Sequence, residues 1–170
     1  MSKIPTQIMD FSLYNQNNKL IGHGPEVTLP TITSKTFTAE LAPGDIDVPG
    51  MRTENIELEI PFNIFDEEAA SIISLTKTTT LILRGSAQKV NTDTHDFNYM
   101  GVKVTVKGFA KEVELGTLKR SDKMDSKVKM TLTYIKVENG DGKTFIEIDK
   151  LNGTYIVNDI NVRERIEKYL

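Results

Sequence analysis

Alternation with a period of two runs through most of the chain. Across residues 54–65, Ile56, Leu58, Ile60, Phe62 and Ile64 fall on one face, with Asn55, Glu57, Glu59 and Asn63 on the other. That is the signature of a half-buried strand. Pro61 removes a ladder donor and predicts an edge or a bend at that point. In residues 99–115, Val102, Val104 and Val106 alternate with Lys103, Thr105 and Lys107. Gly108 interrupts, and Phe109, Val113 and Leu115 resume in the odd register, which predicts a bulge or sharp bend. In residues 127–137, Val128, Met130, Leu132 and Tyr134 face one way, and Lys127, Lys129, Thr131 and Thr133 the other. Ile135 and Val137 then put apolar groups on the second face, so this strand is expected to be covered on both sides near its end. Asn139-Gly140-Asp141-Gly142 is the strongest hairpin turn in the chain and should return into Thr144–Leu151. Thr78–Arg84, with Leu81, Ile82 and Leu83 in succession, reads as a more buried strand.

Helical signals are few. Asp66 is placed to cap a helix over 67–77, with Glu67 and Glu68 in its first turn and Lys77 at its end, as the helix dipole prefers. Ala69, Ile72, Ile73 and Thr76 supply its apolar face. Residues 162–170 suggest a short second helix, with Ile166 and Tyr169 on one side. Pro43-Gly44 and Pro49-Gly50 are two turn signals in close succession, so residues 40–53 read as a long loop. Residues 118–126, rich in Lys and Asp, read as another. The pattern is that of one mainly β domain over residues 1–170, with one convincing helix and long loops.

Composition narrows the function classes. A chain of 170 residues with 38% hydrophobic residues is long enough for one substantial core. The net charge of −3 argues against a strongly basic nucleic-acid grip. No apolar run approaches the roughly 20 residues of a membrane helix, so no membrane insertion signal is seen. The opening residues 1–7 lack the basic-then-apolar pattern of an export signal. Absence of cysteine excludes disulfide scaffolds, thiolate zinc sites and cysteine nucleophiles. Residues 1–77 carry 5 basic and 11 acidic side chains, whereas residues 78–170 carry 16 and 13. A subunit with faces of opposite sign suits head-to-tail association; chance variation between two halves of one fold is the plain alternative.

Candidate chemistry is sparse. His23 sits in a Gly-His-Gly turn and His95 in a Thr-His-Asp loop. His95 with Asp93 and Asp96 offers at most a weak metal constellation, and a solvated loop explains these residues better. Glu57 and Glu59 share a strand face about 7 Å apart, a spacing compatible with a glycosidase pair, but wet strand faces carry such pairs routinely. No glycine-rich phosphate-cradling motif is present. Lys119, Arg120, Lys123, Lys127 and Lys129 are interleaved with Asp122 and Asp125 and lack a stacking aromatic, which favours a solvated loop or salt-bridging interface over a nucleic-acid platform. No catalytic residue, cofactor or metal site is expected, and the function is more in keeping with binding or building than with catalysis.

One resemblance spans nearly the whole chain. Its motifs are Lys107–Gly116 (KGFAKEVELG), Met130–Tyr134 (MTLTY), Ile146–Asn152 (IEIDKLN), Val157–Val162 (VNDINV), Leu13-Tyr14-Asn15, Glu26–Pro30 (EVTLP) and Ala42–Val48 (APGDIDV). This series resembles the major tail tube protein family of contractile-tailed bacteriophages, whose subunit type also serves in phage-like bacteriocin particles. Phe109 stands where family members carry Trp, and Tyr169-Leu170 where they end in Gly-Leu. The resemblance implies a fold of two packed antiparallel sheets, sandwich- or barrel-like, with one flanking α-helix. It implies hexameric rings that stack into a hollow tube. The implied partners are tail sheath, tape-measure, baseplate and tail-terminator proteins, and DNA would transit the lumen without specific binding. The implied location is a virion tail or phage-like particle, assembled in the bacterial cytoplasm.

Two sets of residues follow as expectations. Polar strand faces should line the lumen, with Asn55, Glu57, Glu59, Thr131 and Thr133 as candidates, because acids and hydroxyls do not hold phosphate. The segment 40–53 carries Leu41, Ile46, Val48 and Met51 beside Pro43 and Gly44, and an exposed loop with such residues usually packs on something; it is the candidate ring-stacking contact. A type VI secretion-like tube shares the architecture. A β-sandwich carbohydrate-binding module or a small hydrolase using Glu57 and Glu59 are the readings from other classes.

Overall fold

The computed structural model describes residues 2–16, 18–74 and 76–170. Among the described residues eleven strands run β1 (Lys3–Asn15), β2 (Asn18–Leu20), β3 (Ser34–Leu41), β4 (Gly44–Thr53), β5 (Ile56–Phe62), β6 (Thr79–Asn91), β7 (Phe97–Glu114), β8 (Ser126–Asn139), β9 (Thr144–Asp149), β10 (Thr154–Val157) and β11 (Ile160–Asn161). Helix α1 (Glu67–Ser71) lies between β5 and β6, and α2 (Glu164–Glu167) follows β11. Nine strands form one antiparallel sheet in the order β11-β10-β9-β8-β7-β6-β1-β2, with β5 also paired to β8. β3 and β4 form a separate two-stranded sheet.

Strand β8 organises the fold. Its whole length pairs with β7 on one side. On the other side its first half pairs with β5 and its second half with β9. β7 and β8 therefore belong to both halves of a sheet whose inward faces meet in one hydrophobic cluster. Ile56, Leu58, Ile60 and Phe62 of β5 contribute there together with Leu13, Leu81, Val104, Val106 and Ile148 from the other half. Burying each such side chain is worth roughly 1.5–3 kcal/mol. The β7–β8 ladder has two register irregularities where the halves meet, at Lys107/Gly108 and at Ala110/Glu112. Register slips between Lys107 and Gly108, and a Cβ at Gly108 would stand 2.2 Å from the Thr131 carbonyl oxygen. Only glycine lets β7 approach β8 that closely.

The slip at Lys107/Gly108 also corrects the expectation for residues 127–137. Lys107 pairs with Tyr134 and Gly108 with Leu132, leaving Thr133 as an extra residue on β8. This bulge flips the parity. Ile135 consequently points into the same core as Val128, Met130 and Leu132, so the strand does not carry two apolar faces.

Other boundaries also move. The expected strand over 54–65 ends at Phe62, and Ile64 is exposed. Its Pro61 lies opposite Lys127 of β8, and its carbonyl accepts from the Gly24 amide at 2.8 Å; on this outer strand the missing proline donor is tolerated. β6 runs to Asn91, well past Arg84. The helix expected over 67–77 stops at Ser71. Asp66 caps it by accepting from the Glu68 and Ala69 amides, and Ala69 and Ile72 are buried. Beyond it the β-branched and Ser-rich run has poor helix propensity. Ser74 Oγ accepts from the Lys77 amide, and Thr79 Oγ1 donates to the Ile72 carbonyl. The second helix likewise covers only Glu164–Glu167 of the expected 162–170. Residues 40–53 are not a loop: they form the end of β3, the turn and β4 of the β3–β4 hairpin. Proline is tolerated here because a two-stranded ribbon has only edge strands, and Pro49 pairs opposite Thr36.

Candidate assembly surfaces

The β3–β4 hairpin is amphipathic. Its register opposes Phe37 to Val48 and Ala39 to Ile46, and Leu41 falls on the same face. The other face carries Thr36, Thr38, Glu40, Asp45 and Asp47, and Thr38 Oγ1 donates to Asp47 Oδ1 at 2.7 Å. Pro43 and Gly44 stand at the turn, and Met51 is half-buried near the base. The apolar face is open: Phe37 is 74% exposed, Leu41 51%, Ile46 50% and Val48 42%. Sequence reasoning found the apolar residues of β4 but missed Phe37, although alternation across Thr36-Phe37-Thr38-Ala39-Glu40-Leu41 marks the strand.

The five residues expected at the lumen gather near the outward face of β5 and the first half of β8. Glu57 lies opposite Thr131 and Glu59 opposite Lys129. Asn55 donates to the Glu57 carboxylate at 3.1 Å. Thr133 occupies the bulge, where its hydroxyl donates to the Lys107 carbonyl at 3.3 Å. These acids are not alone. Glu57 pairs with Lys111, Glu59 with Lys127 at 3.4 Å, and Glu112 with Lys129 at 3.9 Å. The hydrogen bond from the Lys111 ammonium holds the Glu57 carboxyl below its ordinary value and raises that of Lys111 in return. The face is a lattice of alternating charge, with lysines that the alternation on β8 already displayed.

A second polar face covers the outward side of β6 to β9. Arg84 lies opposite Lys103, Thr105 opposite Lys136, and Lys136 opposite Glu147. Glu138 pairs with both Lys103 and Lys136, at 3.4 and 3.5 Å. The Tyr134 hydroxyl donates to Glu147, and burial followed by that carboxylate pushes its ionisation upward. The Lys107 ammonium lies 5.1 Å from the Tyr134 ring centre.

The third surface is an edge. β1 pairs with β6 along its length, but β2 covers only Leu13–Asn15 on the other side. The remaining Lys3–Ser12 stretch has no strand on that side among the described residues, and Ile4, Ile8, Met9, Phe97 and Tyr99 are exposed in this region. Long exposed edges are templates for pairing with another chain.

The candidate chemistry does not converge. His23 stacks on Phe11 at 5.1 Å, with Nδ1 2.7 Å from the Gly24 carbonyl oxygen. His95 lies in the β6–β7 turn with positive φ, its amide donating to Asn91. Among the described residues no group of three His, Cys, Asp or Glu side chains is arranged to hold a metal. Glu57 and Glu59 face lysines across a partly exposed strand surface. Lys119 and Lys123 both pair with Asp125.

An antiparallel sheet with an open edge, an unpartnered amphipathic hairpin and ion-paired polar faces describes a subunit shaped for assembly. The model of the phage tail tube protein FII family matches residues 5–170, and the chain belongs to that family. It is a structural subunit of a tube in a phage or phage-like particle tail. The tail tube protein of Escherichia phage P2 is 22% identical, over 98% of this chain and 95% of that protein. Among solved structures, the sheath/tube terminator of an extracellular contractile injection system (PVC, extended state) superposes with a TM-score of 0.53 at 12% identity. That match covers 79% of this chain and 96% of the other. The corresponding PVC sheath–tube complex gives a TM-score of 0.51 at 11% identity, covering 75% and 87%. These two likenesses establish the shared fold.

Proposed function

We propose that the chain forms hexameric rings that stack into the inner tube of a contractile tail, with residues 1–170 acting as one tube domain and the hairpin as its projecting arm. The observation that carries this is the amphipathic β3–β4 hairpin with its open apolar face, in a chain of the tail tube family. Within a ring, the free edge of β1 pairs with a neighbouring subunit, which removes the exposed edges by closure. Between rings, Leu41, Ile46, Val48 and Met51, with Pro43 and Gly44 shaping the turn and Phe37 added by the structure, make the stacking contact. Stacking of this kind is heterologous and open-ended. The tube works by shape and charge, without catalysis. Its outer surface meets a sheath, a reading supported by the likeness to a structure of the PVC sheath–tube complex. Assembly takes place in the host cytoplasm around a tape-measure protein, between a baseplate and a tail terminator.

The hairpin's role is tested by deleting residues 43–50. The expected variant keeps its far-ultraviolet spectrum and its cooperative unfolding but forms no long tubes. Long tubes from the deletion variant refute the contact.

For the lumen, the proposed lining is the face of Asn55, Glu57, Glu59, Thr131 and Thr133. Its acids are balanced by Lys111, Lys127 and Lys129, so it repels phosphate weakly and holds it weakly, which suits transit. The outward face of β6 to β9 is the second reading, favoured by its continuity with the free β1 edge. The Glu57→Lys/Glu59→Lys variant and the Lys103→Glu/Lys136→Glu variant separate them. Retention of DNA by tubes is expected to rise in the first and to stay unchanged in the second; retention unchanged in the first and lowered in the second moves the lumen to the other face.

A further inference from the structure

The hairpin's apolar face needs a receiver, and the subunit carries a surface of matching character. A groove of about 450 Å³ opens between the hairpin base at Met51–Thr53, the β9–β10 turn and helix α2. Its apolar lining comes from Met51, Ile148, Tyr155, Ile166 and Leu170. Further apolar side chains lie close in sequence to this lining: Leu151 is 75% exposed and Tyr169 80%. Basic groups stand among them. Arg52, Lys150 and Arg163 border the groove. Lys150 is held by the Glu54 carbonyl at 3.0 Å, and partial burial lowers its affinity for a proton. Arg163 bonds to Glu167 across one helical turn and lies against Gly153. Asp149 is the one acid in the lining, and its carboxylate accepts from the Asn152 side chain at 2.7 Å.

The subunit's own hairpin does not fill this groove. Only its base residues line it, whereas Phe37, Leu41, Ile46 and Val48 are absent from the lining and remain exposed. The hairpin's other face and tip carry Glu40, Asp45 and Asp47. An apolar ribbon edged with acids thus matches an apolar floor edged with cations, on one and the same chain. Surfaces of this kind that are complementary but not identical join head to tail, and the charge pattern sets their orientation.

We infer that the β3–β4 hairpin of one subunit lies in the β9–β10/α2 groove of a second copy. The inference rests on the proposed role of the hairpin and names its receiving surface. The natural chain contains no cysteine, so a disulfide reports the contact directly. In the Ile46→Cys/Ile166→Cys variant both substituted positions are about half exposed, and the fold should tolerate them. Oxidation of assembled protein is expected to shift most of the monomer band into a covalent ladder on a denaturing, non-reducing gel, reversed by thiol. The ladder is expected to continue beyond one ring's worth of subunits, as a contact between rings requires; one ending at a ring's worth would place the contact within rings and overturn the stacking role on which the inference rests. The Phe37→Cys/Tyr169→Cys variant, bridged with a short bis-maleimide, repeats the test at a second pair of exposed positions. Two further outcomes overturn the inference. Tubes that assemble without a ladder from either variant show that the hairpin docks elsewhere, and leave the tube function standing. Natural protein that never assembles, together with unlinked variants, removes the hairpin's role along with its receiver. Dimers alone, without higher species, mark a symmetric contact and also contradict it.

Discussion

Gly108 and Glu68 carry consequences out of proportion to their size. At Gly108 a methyl group would meet the Thr131 carbonyl oxygen at 2.2 Å, a backbone atom that cannot swing aside. Gly108→Ala is expected to cost at least the 1–3 kcal/mol typical of overpacking, read as a lowered urea midpoint; an unchanged midpoint would show that the β7–β8 approach is looser than described. The Glu68 carboxylate accepts from the Ile21 and Gly22 amides, at 3.0 and 2.6 Å to its Oε2 atom, tying the segment after β2 to α1. Glu68→Ala should lose roughly 1–3 kcal/mol, as charge-assisted bonds do, with faster amide exchange confined to residues 20–24. Asp149 gives a pH signature. Its hydrogen bond from Asn152 lowers its folded value below the ordinary 3.8, so the stabilisation is fully present above that value and is lost as the pH falls through the folded one. The stability gap between the natural protein and Asp149→Asn should therefore close on acidification below pH 4. A gap that stays constant to pH 3 contradicts that assignment.

At the scale of elements, the sequence made some features legible and hid others for physical reasons. β5, the first half of β8 and the Asn139–Gly142 turn were readable because burial on one face enforces strict alternation. The bulge at Thr133 was misread because an inserted residue and a strand buried on both faces leave the same pattern of letters; only the pairing of Gly108 with Leu132 and Lys107 with Tyr134 tells them apart. The β3–β4 hairpin resembles a loop in sequence because two Pro-Gly pairs mask a valid alternation, and in a ribbon made only of edges proline carries little penalty. Helix α1 was overextended because Ile72 and Ile73 continue the apolar spacing after the backbone has turned. β1 went unread because most of its residues are exposed on both faces of the free subunit. Among the site residues, the lumen candidates group together because alternation places them on shared faces, and Lys127 and Lys129 stand on the same face of β8, whereas Lys111 lies on β7 and needs the strand pairing to be seen beside Glu57. One prediction belongs at this scale. Phe37→Ser/Ile46→Ser/Val48→Ser removes only exposed apolar groups and should leave the unfolding midpoint within about 0.5 kcal/mol of the natural value, as surface changes do. The same variant should abolish stacking. A large loss of stability would mean that the hairpin packs on its own subunit.

At the scale of the whole molecule, a free edge, an open apolar ribbon and a cation-bordered groove lie on one small domain whose family builds tail tubes. In isolation each is a liability, inviting uncontrolled pairing; in a closed, stacked assembly each is covered. Electron microscopy of the purified, negatively stained protein across a concentration series tests that claim most directly. The account predicts rings at low concentration giving way to hollow rods of uniform width as concentration rises. Monomers at every concentration, persisting after addition of a tail initiator complex, would contradict it.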